Sequence, residues 1–131
     1  MDAIEKANGK EHPSTATTYN NIAGVYQAKG DYDKALEYYN KALVIVEKVL
    51  GPEHPYTAAT YNNIALVYQD KGDYDKALEY SKKDLAISEA VLGPNHPDTR
   101  ITYSTIAGIY SAMGNEKKAL EYFLKSIGLP G

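Results

Sequence analysis

The chain contains no cysteine, which excludes a disulfide framework, a thiolate metal site and a cysteine nucleophile. Arginine is almost missing too: 13 of the 14 cationic residues are lysines, and Arg100 stands alone. Against 17 acidic residues they leave a net charge of -3, too balanced for the one-signed surface that nucleic acid or an anionic membrane would call for. No apolar run approaches the length of a membrane span, and residues 1–11 (MDAIEKANGKE) hold no segment of signal-peptide type. There is no glycine-rich phosphate loop, no nucleophile elbow and no HExxH. These absences predict a soluble protein, cytoplasmic by default, that is not an enzyme, carries no cofactor or metal, and has no nucleic-acid or membrane partner.

What the chain has instead is repetition. A 42-residue unit runs from His12 to Glu53, returns from His54 to Asn95 and begins again at His96; the second copy keeps 31 of the 42 residues. Residues 1–11 align with the end of a unit, Glu5-Lys6 falling where Glu47-Lys48 falls and Gly9 where Gly51 falls, and read as the remnant of a preceding helix. The chain therefore divides into a remnant (1–11), two full repeats (12–53 and 54–95) and a third with a shortened second helix (96–131). Units that touch only their neighbours bury surface at the seams between them rather than in one central core.

Each unit opens on His-Pro, and proline suits the first position of a helix because its missing N–H would be unpaired there. Tyr19, Ile22, Ala23 and Tyr26 follow at i, i+3, i+4, i+7, one buried stripe of a helix that Gly30 ends. Asp31 then caps a second helix, with Asp33 adding negative charge to its first turn; Asp73 with Asp75, and Asn115 with Glu116, repeat the arrangement. Capping accounts for these carboxylates without a calcium site. His12, His54 and His96 lie one repeat apart, at equivalent corners that cannot converge on a metal. Glu37–Lys41, Glu79–Lys83 and Glu121–Lys125, each at i, i+4, are expected as exposed ion pairs. The 13 tyrosines are expected in the core and seams.

Two antiparallel helices per unit, with Tyr19, Ile22-Ala23, Tyr26, Ala35 and Tyr39 at the key positions, resemble the tetratricopeptide repeat. Copy two offers Tyr61, Ile64-Ala65, Tyr68, Ala77 and Ser81; copy three offers Tyr103, Ile106-Ala107, Tyr110, Ala119 and Phe123. The period, the spacer LGPEHP (Leu50 to Pro55) and the phrase TYNNIA are similar to the kinesin light chain branch of that family. The resemblance implies an all-α fold, an α-solenoid of three antiparallel helix hairpins wound into a superhelix, whose first helices line a concave groove for a protein or peptide partner.

On that groove face fall Thr17, Asn20, Asn21, Gly24 and Gln27; Asn62, Asn63, Leu66 and Gln69; and Ser104, Thr105, Gly108 and Ser111. A side-chain amide both donates and accepts, so a ladder of Asn and Gln suits an extended peptide backbone better than any one charge. Family members that clamp a C-terminal carboxylate carry Lys or Arg where this chain has Thr17, Asn20, Ile101 and Thr105, so that clamp is absent. Either the amides bind a peptide or they are solvated polar positions. Gly24 and Gly108 would be explained by close approach of a ligand or of a neighbouring helix.

Two features stand apart. Ser81, Asp84 and Ser88 replace Tyr39, Ala42 and Val46 on a seam-facing stripe, where a carboxylate must find a donor in Tyr103, Tyr110 or Arg100 or stay wet; the alternatives are a hydrated seam and a second ligand site. Tyr122, Phe123, Leu124 and Ile127 include apolar positions that a fourth repeat would normally cover, an open end suited to homo-oligomers, end to end or by helix exchange.

Overall fold

A computed structural model describes residues 12–129; the remnant expected over 1–11 lies outside the described residues. Six helices follow one another: α1 (Pro13–Ala28), α2 (Tyr32–Val49), α3 (Pro55–Lys71), α4 (Tyr74–Val91), α5 (Pro97–Ala112) and α6 (Glu116–Ser126), with no strand among the described residues. α1 packs on α2, α3 on α4 and α5 on α6 as hairpins; α2 then meets α3, α4 meets α5, and the first helices α3 and α5 also touch. This is the expected α-solenoid of helix pairs.

The helix starts are fastened by the histidines. Nδ1 of His12, His54 and His96 each accepts the backbone N–H two residues on, at 3.0 Å, just ahead of the proline that opens the helix. His-Pro is thus a capping pair: the ring satisfies one of the first-turn N–H groups that have no partner inside the helix. Asp31, Asp73 and Asn115 cap the second helices by accepting the N–H of Lys34, Lys76 and Lys118. The turns between paired helices need a left-handed residue, supplied by Gly30, Gly72 and Gly114 at φ 82°, 84° and 84°.

Burial follows the seams. Ile64 and Val67 of α3 are fully buried in one cluster with Tyr39, Ala42, Leu43 and Val46 of α2. Ile106 and Tyr110 of α5 cluster likewise with Leu85 of α4. At the second seam Tyr103 donates to Glu89, and at the first, burial and then the Glu47 carboxylate hold the Tyr61 phenol above its usual range. Burial first, and then the Glu89 carboxylate, push the Tyr103 phenol up to about 12.

The expected Glu–Lys ion pairs do not form. The Lys41 ammonium instead lies over the rings of Tyr19 and Tyr38, Lys83 over Tyr61 and Tyr80, and Lys125 over Tyr103 and Tyr122, at 5.1–5.7 Å from the centroids. In every unit the second-helix tyrosine also stacks on the end of the first-helix pair: Tyr26 on Tyr38, Tyr68 on Tyr80, Tyr110 on Tyr122. A cation over two ring faces outcompetes an exposed carboxylate whose attraction water screens.

Candidate peptide groove and seam cavity

The first helices α1, α3 and α5 bring the amide ladder into place, but its rungs are not equivalent. Asn20 and Asn62 are half-buried, and in each the amide oxygen is shielded from solvent with no donor among the described residues. Asn21, Ser104 and Ser111 are exposed; Asn63, Leu66 and Gln69 are half-buried. Gln27 is engaged at both ends: Tyr39 donates to its Oε1 at 3.2 Å, and its Nε2 donates to Asp70 at 3.0 Å, linking the first unit to the second. Thr17 and Tyr56 exchange a hydroxyl hydrogen bond of 2.8 Å across the same seam.

Of the two explanations offered for Gly24 and Gly108, close approach of a neighbouring helix is not found. A methyl group on Gly24 would stand 3.8 Å from the Tyr39 hydroxyl and one on Gly108 3.9 Å from Gln69 Nε2, both ordinary contacts. Packing within the chain therefore tolerates alanine at either position.

Asp84 is 3% exposed, and its donors are not the ones expected. Ser88 Oγ donates to Oδ1 at 2.9 Å and Thr102 Oγ1 to Oδ2 at 2.8 Å. Tyr103 is turned to Glu89, and Arg100 lies against Gly128, where an added Cβ would come within 2.7 Å of its guanidinium. Burial raises the Asp84 carboxyl above the usual aspartate range, the two hydroxyls pull it down, and Asp98 adds to the rise.

Residues 1–43, 14–83 and 56–129 each match the sequence pattern of the tetratricopeptide repeat. The chain belongs to the tetratricopeptide repeat family. Among solved structures this tetratricopeptide chain is similar to BtubC (BKLC) from P. vanneervenii, with a TM-score of 0.86 and 26% identity over 94% of this chain and 50% of that one. It is similar also to a putative kinesin light chain from Podosopora anserina with nearly identical TPR-like repeats, at TM-score 0.80 and 28% identity over 91% and 56%. The TPR domain of Arabidopsis FLU shares the fold at TM-score 0.75 and 19% identity, over 87% and 92%. The tetratricopeptide chain thus spans about half the length of the first two of these structures. No curated protein sequence matches it.

A tetratricopeptide solenoid is a scaffold typical of protein–protein interaction. None of its described helices is long and apolar enough to cross a membrane, and its described residues hold no group of three or more metal-ligating side chains.

The sequence reading passed over several residues that shape this tetratricopeptide groove. Thr15, Thr57 and Thr99 are fully buried. Thr57 Oγ1 donates to the Gly51 carbonyl at 2.8 Å and Thr99 Oγ1 to that of Ser88 at 3.3 Å, so they close the end of the preceding helix. Their recurrence at one place in each repeat was the available signal. Ser104, Gly108 and Ser111, with Leu120 and Phe123, line a hollow of about 400 Å³ on the third hairpin.

Proposed function

We propose that the chain is a non-enzymatic scaffold that binds an extended peptide along its first helices. Asn20, Asn21, Asn62, Asn63 and Leu66 make contact, Gly24 keeps the wall low, Gln27 and Gln69 order the floor, and Ser104 and Ser111 form the far end. The observation that carries the reading is the state of Asn20 and Asn62. A shielded amide oxygen without a donor costs about 1–3 kcal/mol, yet it stands at the same place in two successive repeats, where folding does not use it. Rotation about the last side-chain bond exchanges oxygen for nitrogen and turns the acceptor outward, toward a peptide N–H. The test is a selection from a random-peptide display library, followed by calorimetry of the winners against wild type and against Asn20→Ala/Asn62→Ala/Asn63→Ala at matched helical content. Affinity should fall at least tenfold in the triple variant. Peptides held equally by both proteins, or no peptide selected, would overturn the reading.

A second reading rests on the outer side of the third hairpin. Leu120, Phe123 and Ile127 are 57%, 51% and 50% exposed, whereas Tyr39 and Leu43, which hold the places of Phe123 and Ile127 in the first unit, are buried against Ile64 and Val67. Such a face fits another first helix, and a second copy could supply one with Val25 of α1, which is itself exposed. Sedimentation equilibrium should then show mass rising with concentration in wild type and a monomer in Phe123→Lys. A wild type that stays monomeric removes this reading.

A further inference from the structure

The two seams of the solenoid are built from the same places in the repeat, yet one is closed and the other is hollow. At the first, the Tyr56 ring packs against the core cluster and its hydroxyl reaches Thr17, while Ala42 and Val46 present methyl groups. One repeat later those places hold Asp98, Ala59, Asp84 and Ser88. The aromatic plug is gone, and a cavity of about 180 Å³ opens between α3, α4 and α5. At roughly 30 Å³ per molecule that is the share of about six waters, room for an extended side chain.

The cavity has one chemical character. Pro55, Ala58, Leu92 and Ile101 give it apolar walls, and its polar groups are the carboxylates of Asp84 and Asp98, the Asn62 amide and two hydroxyls. The hydroxyls of Ser88 and Thr102 are both donated to Asp84, which as a carboxylate retains further acceptor positions. Asp98 sits at the rim with its side chain 68% exposed. No lysine or arginine lines the cavity; of the cations next in sequence to a lining residue, Lys83 lies over the rings of Tyr61 and Tyr80 and Arg100 against Gly128. A buried carboxylate without a cation, in a hollow with apolar walls, lacks one thing: a cation that brings N–H groups on an apolar stem.

We propose that the cavity between α3, α4 and α5 is a specificity pocket for an alkylammonium group, the side chain of a lysine on the bound peptide, with Asp84 at its base and Asp98 and Asn62 at its mouth. The stem lies along Leu92 and Ile101, as lysine stems lie along apolar surface elsewhere. The pocket deepens the peptide-groove reading and rests on it only for the source of the lysine.

The test uses n-butylammonium as probe, and n-butanol as its neutral counterpart, followed through the backbone amide resonances of Ser88 and Thr102 in the full chain. Butylammonium should shift both saturably, butanol should not, and affinity should drop at least tenfold in Asp84→Ala and in Asp98→Tyr, which restores the plug of the other seam. Equal shifts with butanol, no shifts, or shifts that survive both substitutions would overturn the proposal. Groove-selected peptides then separate the two readings. Peptides that depend on Asn20, Asn62 and Asn63 but tolerate norleucine for every lysine sink the pocket and leave the groove. Butylammonium binding with no peptide selected sinks the groove and leaves the pocket.

Discussion

Replacing Ile64 with alanine is expected to lower stability by about 2–5 kcal/mol, the range for emptying a fully buried aliphatic site. Ile64 is 0% exposed and belongs to the cluster that joins α3 to Tyr39, Ala42, Leu43 and Val46 of the first unit. In a globular domain such a loss is shared by the whole core. In a stack of repeats it falls on one interface, so the first hairpin should begin to melt apart from the rest. Urea denaturation followed by far-ultraviolet circular dichroism should show both a lower midpoint and a shallower or two-step transition. A loss below about 1 kcal/mol with the slope unchanged would mean that the seam closes over the gap, contrary to the packing described.

The second large effect has the opposite sign. Asp84→Ala should raise stability at pH 7 by about 1–3 kcal/mol, because a largely buried carboxylate without a cation costs more than its two hydroxyl partners return. Thr102 is not stranded: its Oγ1 also lies 3.2 Å from the Asp98 carbonyl, as Thr60 Oγ1 lies 3.1 Å from that of Tyr56 one repeat earlier, where alanine holds the place of Asp84. Burial places the folded-state pKa of Asp84 above its ordinary value. The folded chain thus holds this proton more tightly than the unfolded chain does. The penalty is absent below the unfolded pKa and grows to its full size as pH rises through the folded one. The stability gap between variant and wild type should accordingly be large at pH 7 and shrink as pH falls toward the ordinary aspartate range. Urea titrations at the two ends of that window measure it, and a gap that does not change with pH would show that Asp84 is already neutral or well hydrated.

Much of this architecture was legible in the sequence because three copies repeat the same local instructions. The His-Pro starts, the Gly-Asp turns and the Tyr/Ile/Ala stripe each predict a helix edge or a buried face without reference to the rest of the chain, and α1 to α6 follow them. The lateral choices of long side chains were less legible. Lys41 can reach a carboxylate at i−4 or the faces of two tyrosines, and only the position of the partner helix decides between them. The same holds for Asp84. The stripe of Ser81, Asp84 and Ser88 was visible as an anomaly, but its donor, Thr102, lies on another helix and looks like an ordinary polar residue of α5. The candidate site was readable as a face, not as a set of free and engaged groups, since the pairing of Gln27 with Tyr39 and Asp70 joins residues that no short-range pattern links.

The lacing of the first seam also sets where the molecule is stiff. Thr17–Tyr56 and Gln27–Asp70 tie α1 to α3 on the first-helix side, and Lys71–Asp33 ties α3 to α2. Between α3 and α5 no side-chain hydrogen bond runs among the described residues; the bonds of the second seam all lie between α4 and α5. Bending that spreads the first helices therefore strains two bonds at one junction and none on the same side at the next. Opening the curvature of the first-helix side should therefore cost more at the first junction than at the second.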